Sequence, residues 1–271
     1  MPEIDRRTAA MFALLAPLAS GGAMARSSQR PSSLVQERAG VSASGKGGEQ
    51  IAMLIYDGMT LLDLAGPHCM FGSLKGARIH LVAKSLTPIT TDDGMTIVPD
   101  ATFETCPRDV TVLFTPGGTD GTLAAAVDPQ TLAFMADRGS RARYVTSVCS
   151  GSLVLGAAGL LKGYKATSHW SCRDALRRFG AIPTEGRVVR DRNRFTGGGV
   201  TAGLDFGLTM VAELRDRTYA ECTQLSNEYD PEPPFDAGSP RSALPAVREA
   251  VTNRLSDFIR KANELPARAD A

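Results

Sequence analysis

Histidine is scarce in this chain of 271 residues: there are three, His68, His80 and His169, too scattered to argue for a metal centre. The five cysteines (Cys69, Cys106, Cys149, Cys172, Cys222) include no C-x-x-C pair and no Cys/His spacing of the zinc type. Charge of one sign is lacking too. The formal net charge of +1 leaves no basic surplus to track a phosphate backbone, so nucleic acid is not expected as a partner. No apolar run is long enough to span a bilayer, and no internal repeat divides the chain. What remains is an ordinary globular composition, sufficient for one substantial α/β domain.

The N-terminus has a pattern of its own. Arg6 and Arg7 precede a short apolar run over 9–19, followed by Gly21, Gly22 and an A-x-A-like Ala23-Met24-Ala25. A charged start, a short apolar stretch and a small-residue cleavage site read as a signal peptide over 1–25, of the twin-arginine type. This predicts a periplasmic or secreted mature protein without a membrane anchor, or a cytoplasmic one if the signal is not used. Residues 26–49, rich in Ser, Gly and charge, read as a disordered linker. The folded domain is expected over 50–263, with a tail over 264–271.

Within the domain, short apolar runs at 51–56 (IAMLIY) and 110–115 (VTVLFT) fit buried strands, the first covered on both faces, and 78–83 (RIHLVA) reads as a further strand. Helices are expected over 61–74, 129–141 and 171–179. A hairpin is expected over 88–99, turning at Asp92-Asp93-Gly94, and another charged turn at Asp191-Arg192-Asn193. One long helix is expected over about 201–229, then an irregular arm over 230–240, then a terminal helix over 243–262. Strands alternating with helices imply a mostly parallel sheet covered on both faces, with the site beyond the carboxyl ends of its strands.

The stretch YVTSVCSGSLVLG (144–156) organises the rest. A β-rich run stops at Cys149, a small polar turn follows, and an apolar helical stretch expected to end at Gly163 begins. A thiol there feels the positive end of the helix dipole and free backbone N–H groups, which favour thiolate. The plain alternative is a packed core cysteine. Gly197-Gly198-Gly199-Val200-Thr201-Ala202 satisfies a G-x-G-x-x-A pattern, but it follows a late strand, so it reads as a turn into the long helix and not as a dinucleotide site.

Six segments then carry a resemblance: YDGMTLLDLAGP (56–67), TPGGTD (115–120), VCSGSL (148–153), ATSHW (166–170), TGGGVTAGLD (196–205) and EYDPEPPFDAGSP (228–240). In this order they resemble the ThiJ/PfpI superfamily, single-domain relatives of class I glutamine amidotransferases, and within it the isonitrile hydratases. The resemblance implies a flavodoxin-like three-layer α/β sandwich, a nucleophile elbow at Cys149, an acidic partner at Asp63, a homodimer and a small-molecule substrate. It also implies chemistry without a cofactor: hydration of an isonitrile to an N-substituted formamide through a cysteine thioimidate. Ser150, where peptidase-like members often carry His, weighs against proteolysis.

Roles for the neighbours follow. The N–H groups of Gly118 and Ser150 are candidates to hold developing negative charge, with Gly117 allowing close approach. Ser150 is also a candidate helix cap or partner of the sulfur. His169 resembles a histidine near the cysteine in several relatives and is placed behind the reacting groups. Thr201 and Asp205 are placed at the pocket edge, Asp205 as a brace of its helix. The other four cysteines are read as packing residues. Two rival functions are carried: a redox sensor or protective protein built on a low-pKa, accessible Cys149, and a hydrolase or glycation-repair enzyme for another small substrate. The sensing half of an AraC-type regulator is disfavoured, because it requires a helix-turn-helix region of roughly a hundred residues after the domain.

Overall fold

Residues 47–267 are described by the structure, a computed structural model. The expected signal segment, most of the linker and the last residues of the tail lie outside the described residues. Residues expected in the linker are bonded to the domain. Gly48 N–H donates to the Gly76 carbonyl (2.9 Å) and Arg78 N–H to the Glu49 carbonyl (2.8 Å), so 47–49 belong to the folded body and not to a linker.

Seven strands form the central sheet in the order β10-β11-β7-β6-β1-β2-β5. They are β1 (Gln50–Leu54), β2 (Arg78–Ala83), β5 (Ala101–Thr102), β6 (Val112–Thr115), β7 (Tyr144–Ser147), β10 (Val188–Asp191) and β11 (Arg194–Gly197). Every pairing is parallel except β10 with β11. The apolar runs are continuous because both faces are covered. Ala52, Leu54, Leu113 and Val145 face one core, while Ile51, Met53, Val112 and Phe114 face the other. The expected hairpin forms from β3 (Ile89–Thr90) and β4 (Thr96–Ile97), with Gly94 at φ 87° in its turn. Strands β8 (Lys165–Ala166) and β9 (Ile182–Pro183) pair separately.

On one face lie α1 (Leu61–Phe71) and α5 (Ala202–Leu214). They cross closely through glycines: a Cβ on Gly207 would lie 2.6 Å from the Cβ of Met70. On the other face are α2 (Asp120–Val127), which the sequence reading did not anticipate, α3 (Pro129–Arg141) and α4 (Gly151–Ala157).

Five helix expectations need correction. The helix expected over 61–74 ends at Phe71, where the Gly72 N–H closes onto the His68 and Met70 carbonyls. The stretch after Cys149 ends at Ala157, because Gly159 (φ 79°) takes the left-handed turn before Gly163 can. The segment 171–179 is a 3₁₀ helix, Arg173–Phe179, closed by Gly180 at φ 69°. The long helix splits into α5 and α6 (Arg217–Ser226). Between them Arg215 is drawn to the Glu49 carboxylate (2.5 Å) and the Lys75 carbonyl (3.0 Å), and extended Asp216 caps α6 by accepting from Tyr219 N–H (2.8 Å). The terminal helix is two pieces, α7 (Pro245–Arg254) and α8 (Ser256–Glu264), meeting at Leu255. Of the two, α8 buries Phe258 and Ala262, whereas α7 buries no residue.

Candidate active site

Three loops at the carboxyl ends of β1, β6 and β7 converge. The bend after β7 is a strained elbow: Cys149 has φ 58°, a conformation that costs a side-chain-bearing residue about 1–3 kcal/mol. Surrounding bonds hold it there. Its N–H donates to the carbonyls of Gly197 (3.1 Å) and Gly198 (2.8 Å), and its carbonyl accepts from Ser168 Oγ (3.0 Å). The glycine turn at 197–199 thus serves the elbow with its carbonyls. Gly151 must lack a side chain, since a Cβ there would lie 2.5 Å from the Thr115 and Pro116 carbonyl oxygens.

Asp63, in the first turn of α1, is fully buried beside this bend. Its Oδ2 accepts from Gly117 N–H (3.1 Å). Oδ1 has no ordinary hydrogen-bond partner among the described residues. The Cys149 thiol lies near enough, in a looser geometry, to favour the charged carboxylate. Burial nevertheless dominates and pushes the carboxyl up to about 7, with the thiol and the Gly117 amide opposing it.

The sulfur departs from expectation. Burial, then the adjacent Asp63 charge, then Cys172, raise the Cys149 thiol well above the ordinary range, and the Ser150 backbone N–H only partly offsets them. Cys149 retains 6% of its surface. A helix of seven residues gives too weak a field to overcome this desolvation. The resting group is therefore a thiol, not the thiolate anticipated from its position.

The glycine loop is also engaged differently. The Gly117 N–H is committed to Asp63 and the Gly118 N–H to Ser150 Oγ (3.0 Å), so neither points at an open oxyanion position. The Ser150 hydroxyl neither caps α4 nor takes the sulfur as partner. It donates to the Gly118 carbonyl (2.6 Å) and meets Thr122 Oγ1 (3.1 Å). Of the expected donors, the Ser150 backbone N–H is the one that faces the sulfur. A Cβ on Gly117 would lie 2.6 Å from Ser150 N and 2.8 Å from Asp63 Oδ2. Gly117→Ala must therefore displace the carboxyl or the elbow. We expect a stability cost of about 1–3 kcal/mol, measurable by thermal unfolding.

His169 is half-buried, its Nδ1 paired with Ser171 Oγ (2.7 Å) and its ring against Gly199, next to the residue whose carbonyl receives Cys149 N–H. Thr201 and Asp205 are tied to Arg187, whose Nη2 donates to Thr201 Oγ1 (3.2 Å) and whose Nε pairs with Asp205 Oδ2. Tyr229 OH also donates to Asp205 (3.1 Å). The Asp205 carboxylate thus ties an arginine to the start of the arm.

The sequence reading missed Tyr56, Thr122, Arg187 and Tyr229, although Tyr56 opens one of the quoted segments. Cys172, read as packing, is a neighbour of Cys149 and its sulfur lies 3.2 Å from Ser168 Oγ. Burial pushes its thiol up to about 12. Cys69 is exposed and donates to Asn227 Oδ1 (3.4 Å), so it is not a core residue. A cleft of about 510 Å³, lined by Leu54, Tyr56, Lys84, Phe103 and Asp128 among others, includes neither Asp63 nor Cys149. Tyr56 lines that cleft and reaches the Pro116 loop with its hydroxyl.

A mostly parallel, doubly covered sheet with a buried thiol–carboxyl pair at a strained strand-to-helix bend defines an α/β protein of the elbow-cysteine class. The chain belongs to the DJ-1/PfpI family, whose model matches residues 49–213. It is 47% identical over 222 residues to an isonitrile hydratase from Pseudomonas putida, covering 82% of this chain and 96% of that protein. A solved ThiJ/PfpI family protein from Pseudomonas syringae is 72% identical, with a TM-score of 0.82 over 83% of this chain and 93% of that one. The HTH-type transcriptional regulator GbdR from Pseudomonas aeruginosa is 30% identical over 188 residues, but this chain spans only half of its length.

Proposed function

We propose that this protein hydrates an isonitrile to an N-substituted formamide, with Cys149 as nucleophile and Asp63 as the proton carrier. The observation that carries this is the buried Cys149 at the elbow beside the fully buried Asp63, whose carboxyl burial pushes up to about 7. The likeness to an isonitrile hydratase along nearly all of that protein's length supports it.

The protonation states set the order of events. Above its midpoint Asp63 is a carboxylate and Cys149 a thiol, so the carboxylate acts first as a base. It takes the thiol proton as the sulfur attacks the terminal isonitrile carbon. It then returns that proton to the carbon, giving a thioimidate, R–N=CH–S–Cys149. Water adds to this carbon while Asp63 accepts one of its protons. Passing that proton to nitrogen and breaking the C–S bond releases R–NH–CHO, and the sulfur recovers the remaining proton. The balance is one isonitrile and one water per formamide, with no change in oxidation state of the protein.

This order predicts an ascending limb in kcat/KM with a midpoint near 7, where Asp63 ionises. Initial rates with cyclohexyl isocyanide across that range check it, and a flat profile through neutrality would remove Asp63 from the role of base. The rival sensor reading needs an accessible thiolate, and a buried thiol weighs against it. A homodimer and signal-directed export complete the proposal. Light scattering on the purified protein tests the first, and N-terminal sequencing of the secreted fraction tests the second.

A further inference from the structure

One buried group next to the reacting pair has no part in the chemistry above. The Tyr56 hydroxyl donates to the Pro116 carbonyl (2.7 Å) and shares a hydrogen bond with Thr122 Oγ1 (2.9 Å). That carbonyl is one end of the peptide unit whose other end is the Gly117 N–H, the donor to Asp63 Oδ2 (3.1 Å). An amide whose oxygen already accepts a hydrogen bond is polarised and donates more strongly. Its plane is also fixed from both ends.

Tyr56 and Ser150 give their protons to the Pro116 and Gly118 carbonyls, so the single Thr122 proton goes to the nearer Tyr56 oxygen, and Ser150 Oγ, which clasps the N–H (3.0 Å) and carbonyl (2.6 Å) of Gly118, lies in contact 3.1 Å away. Hydrogen bonds thus tie the loops after β1 and β6 to the first turn of α2, with the elbow packed against them through Ser150. The Tyr56 ring is partly exposed along the 510 Å³ cleft, but its hydroxyl is out of water and burial keeps it a phenol, fit to donate.

The structure assigns to Tyr56 the role of positioning residue for Asp63: seated by Thr122, its hydroxyl holds the Pro116–Gly117 peptide so that the Gly117 N–H is aimed at the carboxylate. The assignment rests on the reading of Asp63 as base and acid given above.

Tyr56→Phe keeps the ring and removes the hydroxyl, so the carboxylate loses part of its support and holds its proton to higher pH. The ascending limb of kcat/KM should move up by about half to one pH unit. That is a loss of about three- to tenfold below the limb, shrinking toward the plateau, with little change in KM. Thr122→Val should move the limb the same way by less. An equal loss at every pH with the limb unmoved would mark Tyr56 as merely structural and overturn the assignment. A second readout needs no substrate. The infrared carbonyl band of protonated Asp63, identified by its loss in Asp63→Asn, should titrate at higher pH in Tyr56→Phe. An unmoved midpoint refutes the role of Tyr56 even if isonitriles are turned over. A moved midpoint without turnover upholds that role while the proposed reaction fails.

Discussion

Cys149→Ala is expected to abolish isonitrile hydration, lowering kcat/KM on the order of 10⁴-fold or more, because no other group can form the thioimidate. Neighbouring side chains are poor substitutes. The Ser150 hydroxyl is locked onto Gly118 and Thr122, and the Cys172 thiol is buried beside Ser168. The fold should survive, since the elbow is fixed by backbone groups: the N–H of Cys149 to Gly197 and Gly198, and its carbonyl to Ser168. Matching circular dichroism spectra with formamide production lost is the expected result. Turnover at the parent rate would refute covalent catalysis by this residue.

Asp63→Asn has two large effects of opposite sign. Activity should fall by about 10³-fold or more, since the amide neither takes the thiol proton nor returns it. Stability should rise at alkaline pH. The folded carboxyl titrates near 7 and the unfolded one near 4, so folding takes up a proton between those values. The group's contribution to stability therefore falls as pH rises through that window and is least favourable above it. Three pH units correspond to about 4 kcal/mol, an upper figure for what the neutral amide recovers. Urea unfolding of both proteins checks this. The variant should be the more stable near pH 8, with the difference vanishing near pH 4. Equal stability at the higher pH would mean that Asp63 is not a buried, reluctant carboxylate.

Such a carboxylate beside a thiol at a left-handed φ concentrates unfavourable terms in one place. The remainder of the fold tolerates it because the strands and helices around it are conventional. Those parts were also the legible ones. Apolar runs located β1, β2 and β6, and Asp92-Asp93-Gly94 located the hairpin. The change from β-rich to helical pattern at 147–151 located the elbow. Asp63 and Cys149 were paired by motif, and the structure places them side by side.

What the sequence hid depends on distant neighbours. The ionisation of Cys149 could not be read locally, because desolvation is a tertiary quantity that outweighs a short helix's field. The break between α5 and α6 comes from Arg215 reaching Glu49, 166 positions away. The Gly118 N–H looked available until Ser150, 32 positions on, was seen to take it. Tyr56 closed an apolar run and so read as strand. Only the fold shows its hydroxyl at Pro116, 60 residues later.

The proposed reaction passes through a covalent intermediate on Cys149 that water resolves to formamide. Rapid acid quench of the protein with cyclohexyl isocyanide, followed by mass spectrometry of the Cys149 peptide, tests it most directly. The expected result is an adduct of one isonitrile mass on that cysteine, formed before N-cyclohexylformamide and decaying as it appears. Formamide production with no adduct, or an adduct confined to another cysteine, would contradict it.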